Sequence, residues 1–175
     1  MPAGTPSFHG GRPPMDAYQN KLCLPADLAR RAALLPRPLV LTNGVFDLLH
    51  QGHADCLQRA RLLGASLVVA VNDDASARQL GKGPGRPFHA CDERMALLAA
   101  LASTDLVSCF SEANALQVVR CVRPDVYVKG GDYDMERTPE GLEARALGAC
   151  VRAIPFIHYT STTALVERIR GSGAG

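Results

Sequence analysis

A chain of 175 residues, 47% of them hydrophobic, holds enough apolar material for one full α/β core and too little for several domains. Its 19 basic and 17 acidic residues are mixed along the chain and leave a net charge of +2, which argues against nucleic acid or an anionic membrane as main partner. No run approaches the roughly 18 apolar residues of a membrane span, no charged-then-apolar leader opens the chain, and the six cysteines include no C-x-x-C pair. They read as free thiols in a reducing cytoplasm, with Cys56, Cys109 and Cys121 expected to be buried among apolar neighbours.

Residues 1–20 are rich in Gly, Pro and Ser and read as a flexible extension ahead of a domain over residues 21–172. Pro25-Ala26-Asp27 opens a short helix to about Leu35, which Pro36 and Pro38 end. Leu39 to Leu41 then forms a strand, broken at Thr42, Asn43 and Gly44. A helical pattern starts at about Gln51, with Ala54, Leu57 and Ala60 at helix spacing. Strand, tight loop and helix aim loop N–H groups and the positive end of a helix at one spot, which makes an anion site.

Gly44 allows a sharp turn and close approach of backbone to a ligand, and Gly52 removes a side chain at the first helical turn. His50 and His53, three apart at a helix start, share a face and present ring N–H donors. Asp47 either orients a side chain, caps the helix or meets an acceptor substrate. The H-x-x-H pair has two plainer readings. One is half a zinc site, but zinc takes three or four protein ligands, and His9, His89 and His158 have no matching spacing. The other is a pair of surface histidines without a role.

Ser66 to Val71 (SLVVAV) is a continuous apolar run, the pattern of a strand buried on both faces of a parallel sheet. Asn72-Asp73-Asp74 follows at its carboxyl end, where open α/β sheets bind ligands; an ordinary Asn/Asp turn or cap is the alternative. Leu80 to Pro87 (LGKGPGRP) is a glycine-rich loop bearing Lys82 and Arg86, suited to covering phosphates or simply solvated. Asp92 is expected to cap a helix from Glu93 to about Ala102 that turns Met95, Leu97, Leu98 and Leu101 to the core. A cation in a first helical turn opposes the helix dipole, so Arg94 answers an anion, or more plainly makes a salt bridge to Glu93 or Asp92.

Leu106 to Phe110 is the next strand and Ala113 to Val122 the next helix, stopped by Pro124. The strand Asp125 to Val128 runs into Lys129-Gly130-Gly131-Asp132-Tyr133, whose glycines let the backbone approach a ligand. A helix from Pro139 to Leu147 ends at Gly148, and Cys150 to Ile154 is a fifth strand. After a loop, Ser161-Thr162-Thr163 starts a last helix through Ile169. Hydroxyls at a helix start either cap it or build an anion cradle with the free N–H groups. Strands alternating with helices give a single-domain, doubly wound, Rossmann-like parallel sheet of five strands. No G-x-G-x-x-G follows a strand into a helix, and no G-x-x-x-x-G-K-[ST] occurs, so nicotinamide-binding and P-loop readings are set aside.

The string GVFDLLHQGH resembles the signature of the HxGH nucleotidyltransferases, in their cytidylyltransferase-like branch. Together with VNDDAS, GKGPGRP, ERMALLAAL, RPDVYVKGGDYD and STT it is similar to the adenylyltransferases of ADP-heptose synthesis, over residues 36–170. The resemblance implies that His50, His53 and Lys82 are catalytic. It implies that Asn43, Gly44, Val45, Phe46, Gly52, Lys129, Gly130, Gly131, Asp132, Ser161, Thr162 and Thr163 hold the nucleotide, and that no metal is bound by the protein. Asp47, Asn72, Asp73, Arg86 and Arg94 fall on the sugar-phosphate side or its supports. The implied substrates are ATP, carrying Mg2+, and D-glycero-D-manno-heptose 1-phosphate, in a cytoplasmic enzyme that often forms a homodimer. Many homologues carry a sugar kinase, for which this chain has no room, so a separate heptose 7-phosphate kinase and phosphatase are expected. The alternatives are a cytidylyltransferase acting on glycerol 3-phosphate, and a non-catalytic nucleotide-binding module. Cytidylyl relatives carry an arginine and a glycine just before STT; here Phe156 to Thr160 stands instead, and that arginine's role does not carry over.

Overall fold

The computed structural model describes residues 18–172 except Lys82, Pro84, Asp132, Tyr133, Glu136, Phe156 and residues 158–161. The expectations for Lys82, Asp132 and Ser161 therefore lie outside the described residues. The strands are β1 (Leu22–Cys23), β2 (Leu39–Gly44), β3 (Ser66–Asn72), β4 (Leu106–Phe110), β5 (Val126–Gly130) and β6 (Cys150–Ile154). The helices are α1 (Leu28–Ala32), α2 (Gln51–Arg61), α3 (Asp74–Gln79), α4 (Cys91–Ala99), α5 (Leu116–Val122), α6 (Pro139–Ala146) and α7 (Thr162–Ser172). One sheet runs β1-β4-β3-β2-β5-β6, and every pairing is parallel.

The apolar runs become central strands because both faces of the sheet are covered. All seven residues of β3 are buried. Along β2, Leu39 and Leu41 pack with α1, α5 and α6 residues such as Leu28, Val119 and Ala144. Val40 points the other way, toward Leu57 and Ala60 of α2 and Leu98 of α4. Burying each such side chain is worth about 1.5–3 kcal/mol relative to exposure, so a one-residue slip in register would exchange two complete core layers.

Strand order positions the site. From β2 the chain builds outward through β3 and β4, then crosses back to add β5 and β6 on the other flank of β2. The carboxyl ends of β2 and β5 therefore diverge at the switch point, which opens a crevice. The loops that leave them carry the histidines on one side and Lys129–Gly131 on the other.

Several expectations need correction. The sheet has a sixth strand, β1, only two residues long, paired at its edge with Val107 and Ser108. A 3-10 turn spans Gln19–Lys21 just ahead of β1. The segment after Asn72 is the short helix α3, with Asp73 as its cap: the Asp73 carboxylate accepts from Ser76 N–H at 2.7 Å. In α4, Ala90 holds the N-cap position and Asp92 lies inside the first turn; the Glu93 carboxylate reaches back to Ala90 N–H at 2.9 Å. Leu97 is 43% exposed rather than core. All six cysteines are free, but Cys121 and Cys150 are exposed, Cys91 and Cys109 half-buried, and only Cys23 and Cys56 buried.

Candidate active site at the carboxyl edge of the sheet

The β2–α2 loop is held in an unusual conformation. Phe46 has φ of +51°, a region that costs an L-residue with a bulky side chain energy unless the surroundings impose it. Its ring packs on the α2/α4 side of the core and meets the His53 ring edge-on, with centroids 5.5 Å apart. Gly44 sits close beneath this ring: a Cβ would come within 3.1 Å of Phe46 Cε2, and the ring would have to shift by a few tenths of an ångström.

His50 is the N-cap of α2. Its Nδ1 accepts from Gly52 N–H at 3.1 Å, so the proton of the neutral ring resides on Nε2, which becomes a donor. Burial lowers its pKa from the ordinary 6.5, and the neutral form prevails at pH 7. The His50 and His53 rings lie 3.9 Å apart between centroids and are tilted by 32°. The imidazole pair stands at the start of α2, where Gly52 N–H is bonded to His50 Nδ1 and the N–H groups of His53 and Ala54 to His50 O.

Two buried charged side chains brace the loop from behind. Asp47 is 6% exposed; its Oδ1 accepts from Phe88 N–H at 2.6 Å and His89 N–H at 3.2 Å. Its Oδ2 is buried without a hydrogen-bond partner among the described residues. Arg94 is fully buried, and its guanidinium donates to Val45 O (2.6 Å), Asn72 O (2.8 Å), His89 O (3.0 Å) and Asp74 Oδ1 (2.7 Å). Thus Arg94 answers internal acceptors: it ties the histidine loop to the end of β3, to α3 and to the segment ahead of α4. Of the two roles expected for it, support is the one its geometry carries. The Asn72 side chain is likewise inward, donating to Ser76 Oγ at 3.3 Å. Arg86 lies with its guanidinium 5.3 Å from the Phe88 ring centroid, next to the peptide that Asp47 holds.

Across the crevice, Tyr127 on β5 is fully buried and donates its hydroxyl to Asn43 Oδ1 at 2.6 Å. Burial raises the phenol pKa, so the proton stays in that bond. Lys129 faces Glu140 of α6 at 3.2 Å, with both side chains largely buried, so its charge is balanced within the protein. Gly131, at φ of +115°, donates its N–H to Ile154 O at 2.8 Å and joins the ends of β5 and β6. Arg59 of α2 donates to Pro155 O at 2.8 Å, which draws the exit of β6 toward the histidine helix. Thr162 and Thr163 open α7 beyond that exit.

The structure therefore gathers Asn43 to Asp47, His50, Gly52, His53, Asn72 and Arg94 in one braced unit, with Asp73 capping the adjacent helix. Gly130 and Gly131 stand at the neighbouring strand end, while Thr162 and Thr163 share the sheet edge. Tyr127, Glu140, Asp74 and His89 were missed from sequence. Their partners lie far away in the chain, and only the strand alternation at Tyr127 marked it as inward. The donor set of imidazoles and backbone N–H groups does not suit a resident magnesium ion, which takes oxygen ligands. Among the described residues no group of three or more His, Cys, Asp or Glu could hold a metal.

A parallel α/β sheet whose order reverses at β2, with an imidazole pair and a helix start at the carboxyl end of that strand, defines a doubly wound, Rossmann-like domain. The cytidylyltransferase-like family model matches residues 41–168, and the chain belongs to that family. It is 50% identical over 155 residues to the D-beta-D-heptose 1-phosphate adenylyltransferase of Bordetella bronchiseptica, covering 87% of this chain and 96% of that one. It is 49% identical to a bifunctional protein HldE of Pseudomonas savastanoi pv. phaseolicola over 77% of this chain, which spans 28% of that relative's length. A lipopolysaccharide core biosynthesis protein of Thermoplasma volcanium superposes with a TM-score of 0.57 at 31% identity, over 70% of this chain and 98% of that one.

Proposed function

We propose that the protein transfers AMP from ATP to D-glycero-D-manno-heptose 1-phosphate, releasing pyrophosphate and forming ADP-heptose for lipopolysaccharide core assembly. The whole-length similarity to a heptose 1-phosphate adenylyltransferase supports the substrates. The observation that carries the chemistry is the His50 ring. Its Nδ1 is occupied by a backbone N–H, so the neutral ring keeps its proton on Nε2, a donor at the start of a helix.

A sugar phosphate oxygen attacks the α-phosphorus of ATP in line, and pyrophosphate leaves. The attacking phosphate has a second pKa of about 6 and is already anionic at neutral pH, so no general base is needed. The work is to align two mutually repelling anions and to stabilise charge that spreads in the transition state. His50 and His53 do this on the triphosphate, at the positive end of α2. Asn43 to Phe46 and Gly52 shape the loop around it, and Gly130, Gly131, Asp132, Ser161, Thr162 and Thr163 complete the nucleotide side. Lys82 supplies a cation from the glycine-rich loop. Arg86 serves the acceptor phosphate, with Asp47, Asn72, Asp73 and Arg94 as supports of that side and the Lys129–Glu140 pair as a support of the nucleotide side. Magnesium enters with the triphosphate as part of the substrate. The heptose 1-phosphate comes from a separate kinase and phosphatase in the cytoplasm.

The test is pyrophosphate release by the purified chain with ATP or CTP, each paired with heptose 1-phosphate or glycerol 3-phosphate. Release with ATP and heptose 1-phosphate alone is the expected result. Release only with CTP and glycerol 3-phosphate would replace the proposal with a cytidylyl reaction. ATP binding without release in any pairing would leave a nucleotide-binding module.

A further inference from the structure

The sheet splits at one definable point, and a side-chain hydrogen bond crosses the split. β2 stays in register with β3 as far as Gly44, but with β5 only as far as Thr42. β5 runs on to Gly130 beside β6 instead. Asn43 is therefore the first residue of β2 beyond that pairing. Leu39, Leu41 and Tyr127 share one core layer, and Tyr127 is in register with Leu41. Successive strand positions alternate in face, so Asn43 follows Leu41 on the same side of the sheet. The phenol reaches one step along that side, and its hydroxyl donates to Asn43 Oδ1 at 2.6 Å. Tyr127 is fully buried, whereas Asn43 is half-buried at the opening.

An asparagine amide is nearly symmetric in shape but not in chemistry: Oδ1 accepts, and Nδ2 carries two donors. Its terminal torsion is broad and roughly two-fold, so at a strand end that meets an anion one of the two orientations repels. The phenol removes that choice. Burial, and then the nearby Glu140 carboxylate, raise its pKa, so the hydroxyl keeps its proton and needs an acceptor. Glu140 itself pairs with Lys129 at 3.2 Å. A flipped amide would turn N–H groups onto the phenol and strand its buried proton. Among the described residues the Asn43 amide nitrogen has no acceptor.

We infer that Tyr127 is a positioning residue: it fixes Asn43 Oδ1 within the protein, so that the Nδ2 hydrogens donate to a phosphoryl oxygen of the bound triphosphate. This role rests on the adenylyl-transfer reading and assigns part of its nucleotide site. A contact made equally in the ground state and the transition state changes KM and leaves kcat. Tyr127 therefore governs affinity for ATP rather than turnover.

The test titrates the full chain with α,β-methylene-ATP and magnesium in a calorimeter, which needs neither acceptor nor turnover. Tyr127→Phe keeps the ring in the core and removes only the hydroxyl. It should weaken binding about 3- to 10-fold, the scale of one neutral hydrogen bond, and Asn43→Ala should weaken it at least as much. Adding Tyr127→Phe to Asn43→Ala should then change nothing further. Unchanged binding in Tyr127→Phe, or an equal loss from it in both backgrounds, would overturn the role, the second by showing a merely structural tyrosine. In isotopically labelled wild type, the side-chain amide signal that Asn43→Ala deletes should shift when the analogue binds; a signal indifferent to it would also overturn the role. In turnover, Tyr127→Phe should raise the KM for ATP while kcat and the KM for heptose 1-phosphate hold. A rise confined to heptose 1-phosphate would move the donor to the acceptor side and overturn the assignment. Wild type that binds the analogue yet releases no pyrophosphate would overturn the transfer reading alone, and the binding arms would still decide the role of Tyr127.

Discussion

The two flanks of β2 are built differently. On the β3 side, every residue of β3 is buried, and the loop bearing His50 and His53 is gripped by Arg94 and Asp47 through backbone acceptors and donors. On the β5–β6 side, β6 leaves Cys150, Arg152 and Ala153 exposed. The opening residues of α7, Thr162 and Thr163, are half-buried and exposed. One flank holds its imidazoles in place through buried charge, and the other carries threonine hydroxyls with little burial behind them. Stability and activity should therefore be entangled on the first flank and separable on the second.

The largest effect should come from Arg94→Ala. It strands three carbonyls and one carboxylate, and removing one member of a buried charged network costs about 3–5 kcal/mol. Urea unfolding should show that loss, and a midpoint near wild type would mean that the brace is dispensable. Next, His53→Ala should lower turnover about 100-fold or more, on the scale of losing a transition-state donor, with the midpoint little changed. Near-normal pyrophosphate release by that variant would remove His53 from the chemistry.

On the other flank, Thr163→Ala should raise the KM for ATP while stability stays within about 0.5 kcal/mol, as for an exposed substitution. A large drop in the unfolding midpoint would erase the contrast between the flanks. The smallest effect is in pH. Burial holds the folded pKa of His50 below 6.5, so its contribution to stability is complete above pH 6.5 and is lost as pH falls through the lowered value. Protonation also deprives Gly52 N–H of its acceptor. Unfolding midpoints followed downward from neutral pH should fall less in His50→Asn, whose side-chain oxygen can still cap the helix. An identical pH dependence in both proteins would show that His50 does not titrate as its burial requires.

Much of this was readable in the residues. The strand–loop–helix unit around Asn43 to His53 depends on local spacing and on glycines, although β2 runs on through Thr42 and Asn43 to Gly44 where a break was expected. The strands β2 to β5 were legible because apolar runs bounded by turns suit strands inside a parallel sheet, and β6, at the edge and mostly exposed, followed from the alternation with helices. What escaped was short or remote. β1 has two residues and α3 six, too few for periodicity to register. Leu97 sits at helix spacing with its apolar neighbours yet faces outward, because the layer beneath α4 is filled by Leu98, with Met95 and Leu101 at its margin.

Taken alone, the order of residues determined the alternating architecture, the histidine loop and the glycines that shape it, since each rests on contacts within a few positions. Only the tertiary structure decided which charges face a ligand and which serve the fold. Arg94 and Lys129 looked alike as cations at the sheet edge, but folding brought backbone carbonyls and Asp74 to the first and Glu140 to the second. A buried charge must find partners wherever the chain returns, and the sites of that return are set by packing.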